Sequence, residues 1–210
     1  LMKKVLVTGS NGFIGKHLVS KFQNHNDISL ILSSRKYLKS LEGFADQFIV
    51  DSYNFSVDWS KALKDVDSVI HLAWVAHKYE TKDKASFKVH LENTINLANQ
   101  SVKAGVKRFI FLSSVKVNGE KTLNGRSFSA EDNPNPQSSY GKSKLQAEKA
   151  LKKISKKSGL ELVVIRPVLV YGPGVKGNLL ILITWIKKGI PLPFGSVKNR
   201  RSLVSINNLV

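Results

Sequence analysis

Apolar residues along this chain fall into two alternating rhythms. Short, near-continuous apolar runs are bounded by polar or turn residues. Between them lie longer stretches in which apolar residues recur every three or four positions. The runs are KKVLVTG, ISLILSS, QFIV, DSVIHLAW, VKRFIFLSS and LELVVIRP, and they read as strands. GFIGKHLVSKF, FKVHLENTINLANQSVKAG and SSYGKSKLQAEKALKKISKKSG carry the helical period; the last should stop at Gly159. Strands that are apolar throughout belong to a parallel sheet covered on both faces. Their alternation with helices predicts a doubly wound α/β fold with right-handed crossovers. The long glycine-, asparagine- and proline-rich stretch VNGEKTLNGRSFSAEDNPNPQ follows the fifth strand. It therefore lies at a strand's carboxyl end, where ligands bind in this architecture.

Composition narrows the function classes. The 210 residues are 42% hydrophobic and 23% charged, with no cysteine. This is globular composition without a disulfide framework or a thiolate metal site, and no metal is expected. The absence of cysteine fits a reducing, cytoplasmic setting. The apolar run LLILITWI, Leu179 to Ile186, is far short of the ~20 residues that span a bilayer, and no secretory signal is read at the start of the chain. A formal charge of +18 raises the question of nucleic acid. The lysines are spread along the whole chain, however, and no nucleic-acid fold signature accompanies them. The expectation is a solvated basic surface, with neither nucleic acid nor membrane as partner.

TGSNGFIG places Gly9, Gly12 and Gly15 directly after the first strand and at the opening of a helix. That context turns a weak motif into a Rossmann-type dinucleotide turn. The backbone from Gly9 through Asn11, Gly12, Phe13 and Ile14 to Gly15 is expected to face a pyrophosphate, helped by the positive end of the helix. An acid at the end of the second strand usually holds the adenosine ribose. Here Ser33, Ser34 and Arg35 stand there, followed by Lys36. This set suits a 2′-phosphate better than a 2′-hydroxyl and leaves NAD and NADP both open, with Arg35 alternatively stacking on adenine or lying in solvent. His71, at a strand end, reads as a structural histidine rather than a base. Trp59, Trp74 and Trp185 read as packing residues.

In SSYGKSK, Tyr140 precedes Lys144 by four residues, so both lie on one helix face. An ammonium there can stabilise a phenolate and lower the tyrosine's pKa.

Taken in order, TGSNGFIG, HLAW, FLSS, YGKSK, RPVLVYGPG and RRSLVSINNLV resemble the extended short-chain dehydrogenase/reductase superfamily. Within it the chain is similar to the NAD-dependent epimerase/dehydratase family, in its bacterial UDP-glucose 4-epimerase-like branch. The resemblance implies a Rossmann domain over 1–172 and, over 173–210, the start of a substrate-binding part whose lobe runs on beyond Val210 in the family. It implies a tightly held NAD, with NADP kept open by Arg35. Asp51 and Ser52 would contact adenine, although a loop-capping role for Asp51 is equally open. Leu72 and Ala73 would lie along the pyrophosphate and ribose, and Pro167 would approach the nicotinamide.

Ser114 falls at the family's catalytic Ser/Thr position, to act with Tyr140 and Lys144. Asn178 and Arg201 would hold the diphosphate of a UDP-sugar; arginine suits this because its planar fork meets phosphate bidentately. Arg200 and Arg201 are alternatively ordinary surface charges. The chain departs from the family at His90 and Leu169, where asparagine is common. Val115 and Lys116 stand where dehydratases carry the acid and base for water elimination, which argues against that reaction. The two long helices resemble those through which the family forms homodimers. Three readings follow: a UDP-sugar 4-epimerase that oxidises and re-reduces C4, an NADP-dependent reductase of a ketosugar or related carbonyl, and a non-catalytic dinucleotide-binding scaffold.

Overall fold

The computed structural model describes residues 2–51, 55–74, 84–122, 125–192 and 195–210. Six strands, β1 (Lys3–Thr8), β2 (Ile28–Ser34), β3 (Asp46–Ile49), β4 (Ser68–His71), β5 (Arg108–Leu112) and β6 (Glu161–Ile165), form one parallel sheet in the order β3-β2-β1-β4-β5-β6. Every pairing is parallel, and β1 lies between β2 and β4. This is the doubly wound sheet that the apolar runs predict. The strand order reverses between β1 and β4, and the glycine turn emerges there, at the switch point where such sheets open a crevice.

The pleat sends alternate residues to opposite faces. In register, Leu6 lies beside Ile31 and Val69, and Val69 beside Phe109. All four are buried in a core with Leu97 and Ala98 of α2 (Lys84–Lys103) and Ala147 and Leu151 of α3 (Ser139–Ser158). Val5, Val7, Leu30 and Leu32 face the other way and pack with Val19 of α1 (Phe13–Phe22). Each fully buried aliphatic or aromatic side chain of this kind contributes roughly 1.5–3 kcal/mol, so both layers are needed to close the sheet.

Between β3 and β4, residues 55–66 pass through turns that press Trp59, Ala62, Leu63 and Val66 into the first core. Polar residues of α2 hold this segment. Gln100 Oε1 accepts the Trp59 N–H at 2.8 Å, and Asn96 and Gln100 both donate to the Val57 carbonyl, at 2.8 and 2.9 Å.

After β6 the chain leaves the main sheet. β7 (Leu169–Tyr171) pairs in parallel with β8 (Leu203–Ser205), with α4 (Asn178–Lys187) between them and α5 (Ile206–Leu209) after. This small sheet joins residues on both sides of the boundary expected at 172. Ile206 is fully buried beneath Gly172, and α5 packs on α1. Trp185, expected to pack, is instead 42% exposed, beside exposed Leu180, Ile181 and Ile186 on α4. The helix stands outside the main sheet, and none of its residues is buried. Among the described residues no helix is long and apolar enough to cross a membrane.

Candidate active site

The cofactor side is built from backbone. β1 ends in Thr8, and Gly9 takes φ +71°, a left-handed conformation that favours glycine. A Cβ on Gly9 would stand 2.8 Å from the Ala73 nitrogen, and one on Gly15 would stand 2.3 Å from the Gly9 carbonyl oxygen. The turn is thus clamped between the end of β4 and the first turn of α1. Gly12 caps that helix; no side chain caps it, and its first turn carries no acid. The Gly12 N–H donates to the Gly9 carbonyl at 3.0 Å, so it is the positive end of the helix over Phe13–Gly15 that is left to face an anion. A cradle that any side chain would fill, with a helix end open above it, fits a dinucleotide pyrophosphate.

The end of β2 adjoins this cradle. Gly9 N–H and Ser10 Oγ both donate to the Ser33 carbonyl, each at 3.2 Å. Ser34 is buried and its hydroxyl donates to the Lys36 carbonyl at 2.5 Å, while Arg35 is exposed. Asp51 is exposed immediately after β3; Ser52 lies outside the described residues. On the other flank, Leu72 N–H donates to the Thr8 carbonyl, and Ala73 N–H to Thr8 Oγ1, both at 3.2 Å. Leu72 and Ala73 thereby line up against the glycine turn.

His71 is a structural clamp. The Thr94 hydroxyl donates its proton to the His90 carbonyl at 2.8 Å, so it accepts from His71 Nε2–H at 2.8 Å. Thr8 Oγ1 then donates to Nδ1 at 2.7 Å. This neutral ring ties β1, β4 and α2 together. Burial is the main reason its pKa is lowered to about 3, with Lys144 and His90 acting in the same direction.

The proton-transfer side sits across β4 and β5 on the same edge of the sheet. The adjacent serines divide. Ser113 points inward and donates to Glu148 Oε1 at 2.5 Å. Ser114 faces Tyr140 closely enough to influence its pKa and caps the 3₁₀ turn Val115–Val117 by accepting the Lys116 N–H at 3.2 Å. Ser138 caps α3 by accepting the Gly141 N–H at 3.1 Å. That places Tyr140 in the first turn of α3. A Cβ on Gly141 would stand 2.6 Å from the Lys116 carbonyl oxygen, so this glycine lets α3 close onto the Ser114 turn. Pro167 lies beside the same turn, its carbonyl accepting the Val115 N–H at 3.0 Å.

Burial pushes the Tyr140 phenol up to about 12, with the Ser114 hydroxyl acting in the opposite direction. Lys144 is 3% exposed, and its ammonium donates to the Leu112 carbonyl at 2.7 Å. It lies 4.0 Å from the Trp74 ring centroid, 4.6 Å from that of Phe111 and 6.0 Å from that of Tyr140. A buried ammonium needs an acceptor, and the carbonyl at the end of β5 supplies one. The lowering of the Tyr140 pKa anticipated from its lysine neighbour is not found: burial raises it, and the group acting against burial is Ser114. Burial likewise drives Lys144 well below the ordinary lysine value, and Glu148 opposes that shift.

Sequence reasoning missed the support behind this site. Glu148 is 1% exposed and accepts from Arg166 Nε at 3.0 Å and Nη2 at 2.6 Å. Arg166 Nη1 donates to Asn118 Oδ1 at 3.2 Å, and Asn118 Nδ2 to the Ser129 carbonyl at 2.8 Å. The available signal was the placing of Glu148 one helical turn after Lys144.

The two residues expected on the substrate side are separated. Arg201 lines a cavity of about 670 Å³ together with Val115, Asn118, Arg126, Arg166 and Val168. Asn178 is exposed at the start of α4 and is not part of that cavity's wall.

The Rossmann sheet carries a glycine cradle on one side of β4 and Ser114, Tyr140 and Lys144 on the other, the arrangement of a dinucleotide-binding fold. Residues 5–210 match the NAD dependent epimerase/dehydratase family, and the chain belongs to it. It is 46% identical over 213 aligned residues to a UDP-glucose 4-epimerase of Vibrio cholerae, covering 99% of this chain and 64% of that protein. The chain thus spans just under two thirds of that relative's length. Among solved structures it resembles MoeE5 in complex with UDP-glucose and NAD, with a TM-score of 0.78 and 29% identity over 98% of this chain and 69% of the other. It also resembles the Bacillus cereus UDP-glucuronic acid 4-epimerase in complex with UDP-glucuronic acid and NAD, with a TM-score of 0.79, 27% identity and coverage of 98% and 70%.

Proposed function

We propose that this chain is the NAD-binding and proton-transfer part of a UDP-sugar 4-epimerase. The observation that carries the reading is the convergence of Ser114, Tyr140 and buried Lys144, with the Lys144 ammonium 6.0 Å from the Tyr140 ring, on the sheet edge that also carries the glycine cradle. The relatives' names support the same activity. NAD would supply the hydride acceptor and donor for the sugar C4. The Gly9–Gly15 turn and the α1 N-terminus hold its pyrophosphate, Leu72 and Ala73 flank it, and Pro167 borders the nicotinamide end.

Tyr140 removes the C4 hydroxyl proton and gives it back on re-reduction. Ser114 donates to the same oxygen and fixes its direction, and the positive charge of Lys144 favours the phenolate. Arg201 engages the diphosphate of the substrate from the cavity wall; Asn178, exposed at the start of α4 and outside that wall, is given no part in holding it. General acid–base work of this kind is worth about 10²–10⁴ in rate. The enzyme acts in the cytoplasm as a homodimer through the outer sides of α2 and α3.

A second reading, an NADP-dependent ketosugar reductase, is favoured by one observation: exposed Arg35 follows β2 where a ribose-binding acid would stand. Incubation with UDP-glucose separates the two. We expect redox-neutral conversion to UDP-galactose, or of the N-acetyl forms, together with NAD released on denaturation. Net consumption of NADPH with a ketosugar, and no interconversion, would overturn the epimerase reading.

A further inference from the structure

Trp74 occupies an unusual position. It directly follows Ala73, whose backbone is fixed against Gly9 and Thr8, and its ring reaches across to α3. There the Lys144 ammonium sits 4.0 Å from the indole centroid. The same ring stands edge-on to Phe111 at 5.9 Å and tilted against His90 at 5.6 Å. Its Nε1–H is buried with no hydrogen-bond partner among the described residues. An orphan donor is unfavourable, and phenylalanine would fill much of the space without one. What indole supplies beyond phenylalanine is the stronger attraction of its face for a cation.

We propose that Trp74 is the positioning residue for Lys144: its indole face holds the ammonium above the ring, within reach of the Leu112 carbonyl, and so ties the strand end at the glycine cradle to the Tyr140 site. The consequence for catalysis rests on the epimerase reading; the contact itself does not.

Several groups face Lys144. Glu148 lies on its own helix, with its charge shared by Arg166 at the end of β6. Tyr140 is one turn earlier on α3, and neutral His71 faces it from β4. His90 of α2 lies behind the indole. Glu148 and the aromatic faces favour the charged amine, whereas burial disfavours it. Removing the indole while keeping the site apolar leaves burial less opposed, so the ammonium loses its proton at lower pH.

The test is nuclear magnetic resonance of lysine side chains in the isotopically labelled 210-residue protein, with the Lys144 signal assigned by its loss in Lys144→Met. Wild-type Lys144 should show a side-chain signal displaced by the indole ring current. Trp74→Leu should abolish that displacement and weaken proton binding at Lys144 by roughly tenfold or more. Trp74→Phe should give a smaller loss in the same direction, and decides the matter should the leucine variant not fold. A Lys144 titration unchanged in both variants, or a wild-type signal without ring-current displacement, overturns the proposal. These readouts need no turnover. An inactive protein with the expected titration would count against the epimerase reading alone.

Discussion

Glu148 and Arg166 form a bidentate pair, with the carboxylate 1% exposed and the two N–O distances 3.0 and 2.6 Å. The pair anchors α3 to the end of β6. It holds the guanidinium more basic than usual and places a negative charge one helical turn beyond Lys144. Breaking one partner of such a buried pair strands the other. We expect Glu148→Ala to lower stability by about 3–5 kcal/mol, and Glu148→Gln by less, because its amide still meets Ser113 and Arg166. Urea denaturation of the three proteins checks this; equal midpoints would refute it.

His71 makes stability depend on pH. Its folded-state pKa of about 3 lies below the ordinary 6.5, so between those values the unfolded chain binds the extra proton. The contribution is complete above pH 6.5 and is lost as pH falls toward 3, at up to about 1.4 kcal/mol per pH unit. His71→Asn should be less stable at neutral pH and show a flatter profile over that window. Denaturant midpoints measured at intervals of pH decide it.

Gly141 closes α3 onto the Ser114 turn. A methyl group there meets the Lys116 carbonyl at 2.6 Å, and backbone on both sides has little room to yield. We expect Gly141→Ala to reduce epimerisation by about tenfold or more, as misplacement of a proton-transfer pair does, while leaving NAD affinity within a few-fold of wild type. Separate binding and turnover assays distinguish the two effects.

Tyr140→Phe should remove turnover by about 10²–10⁴ with the fold retained. Ser114→Ala removes the hydroxyl that moderates the phenol's high pKa. The phenolate then forms at still higher pH, so the rise of kcat with pH should move upward. A profile unchanged in Ser114→Ala would remove Ser114 from proton transfer.

Arg35 bears on cofactor choice. With Ser33 and Ser34 buried and no acid at the strand end, the guanidinium is the group poised to meet a 2′-phosphate. We expect Arg35→Asp to shift the NAD-to-NADP affinity ratio toward NAD by about tenfold or more, measured by calorimetry on cofactor-free protein.

The sheet and its three long helices were legible because each apolar run pairs with a distinct period, and the glycine turn because strand, glycines and helix adjoin in sequence. Leu72 and Ala73 border the glycine turn and Pro167 the Ser114 turn. Side-chain direction was not legible. Ser113 and Ser114 are chemically identical, and only the pleat at the end of β5 sends one to Glu148 and the other to Tyr140. The i, i+4 spacing put Lys144 near Tyr140 but could not show that the Leu112 carbonyl and the Trp74 face hold the ammonium. Arg166 lies 18 residues beyond Glu148, a separation with no periodic signature.

The helix α1 has two attachments. Its amino end is wedged under the glycine turn, and on its flank His17 Nε2–H donates to the Pro173 carbonyl at 2.9 Å while α5 leans on the same side. A single rigid rod thus joins the cradle to the chain that leaves β7. The phosphate-facing turn and the strand pair that leaves the main sheet are both fastened to one helix.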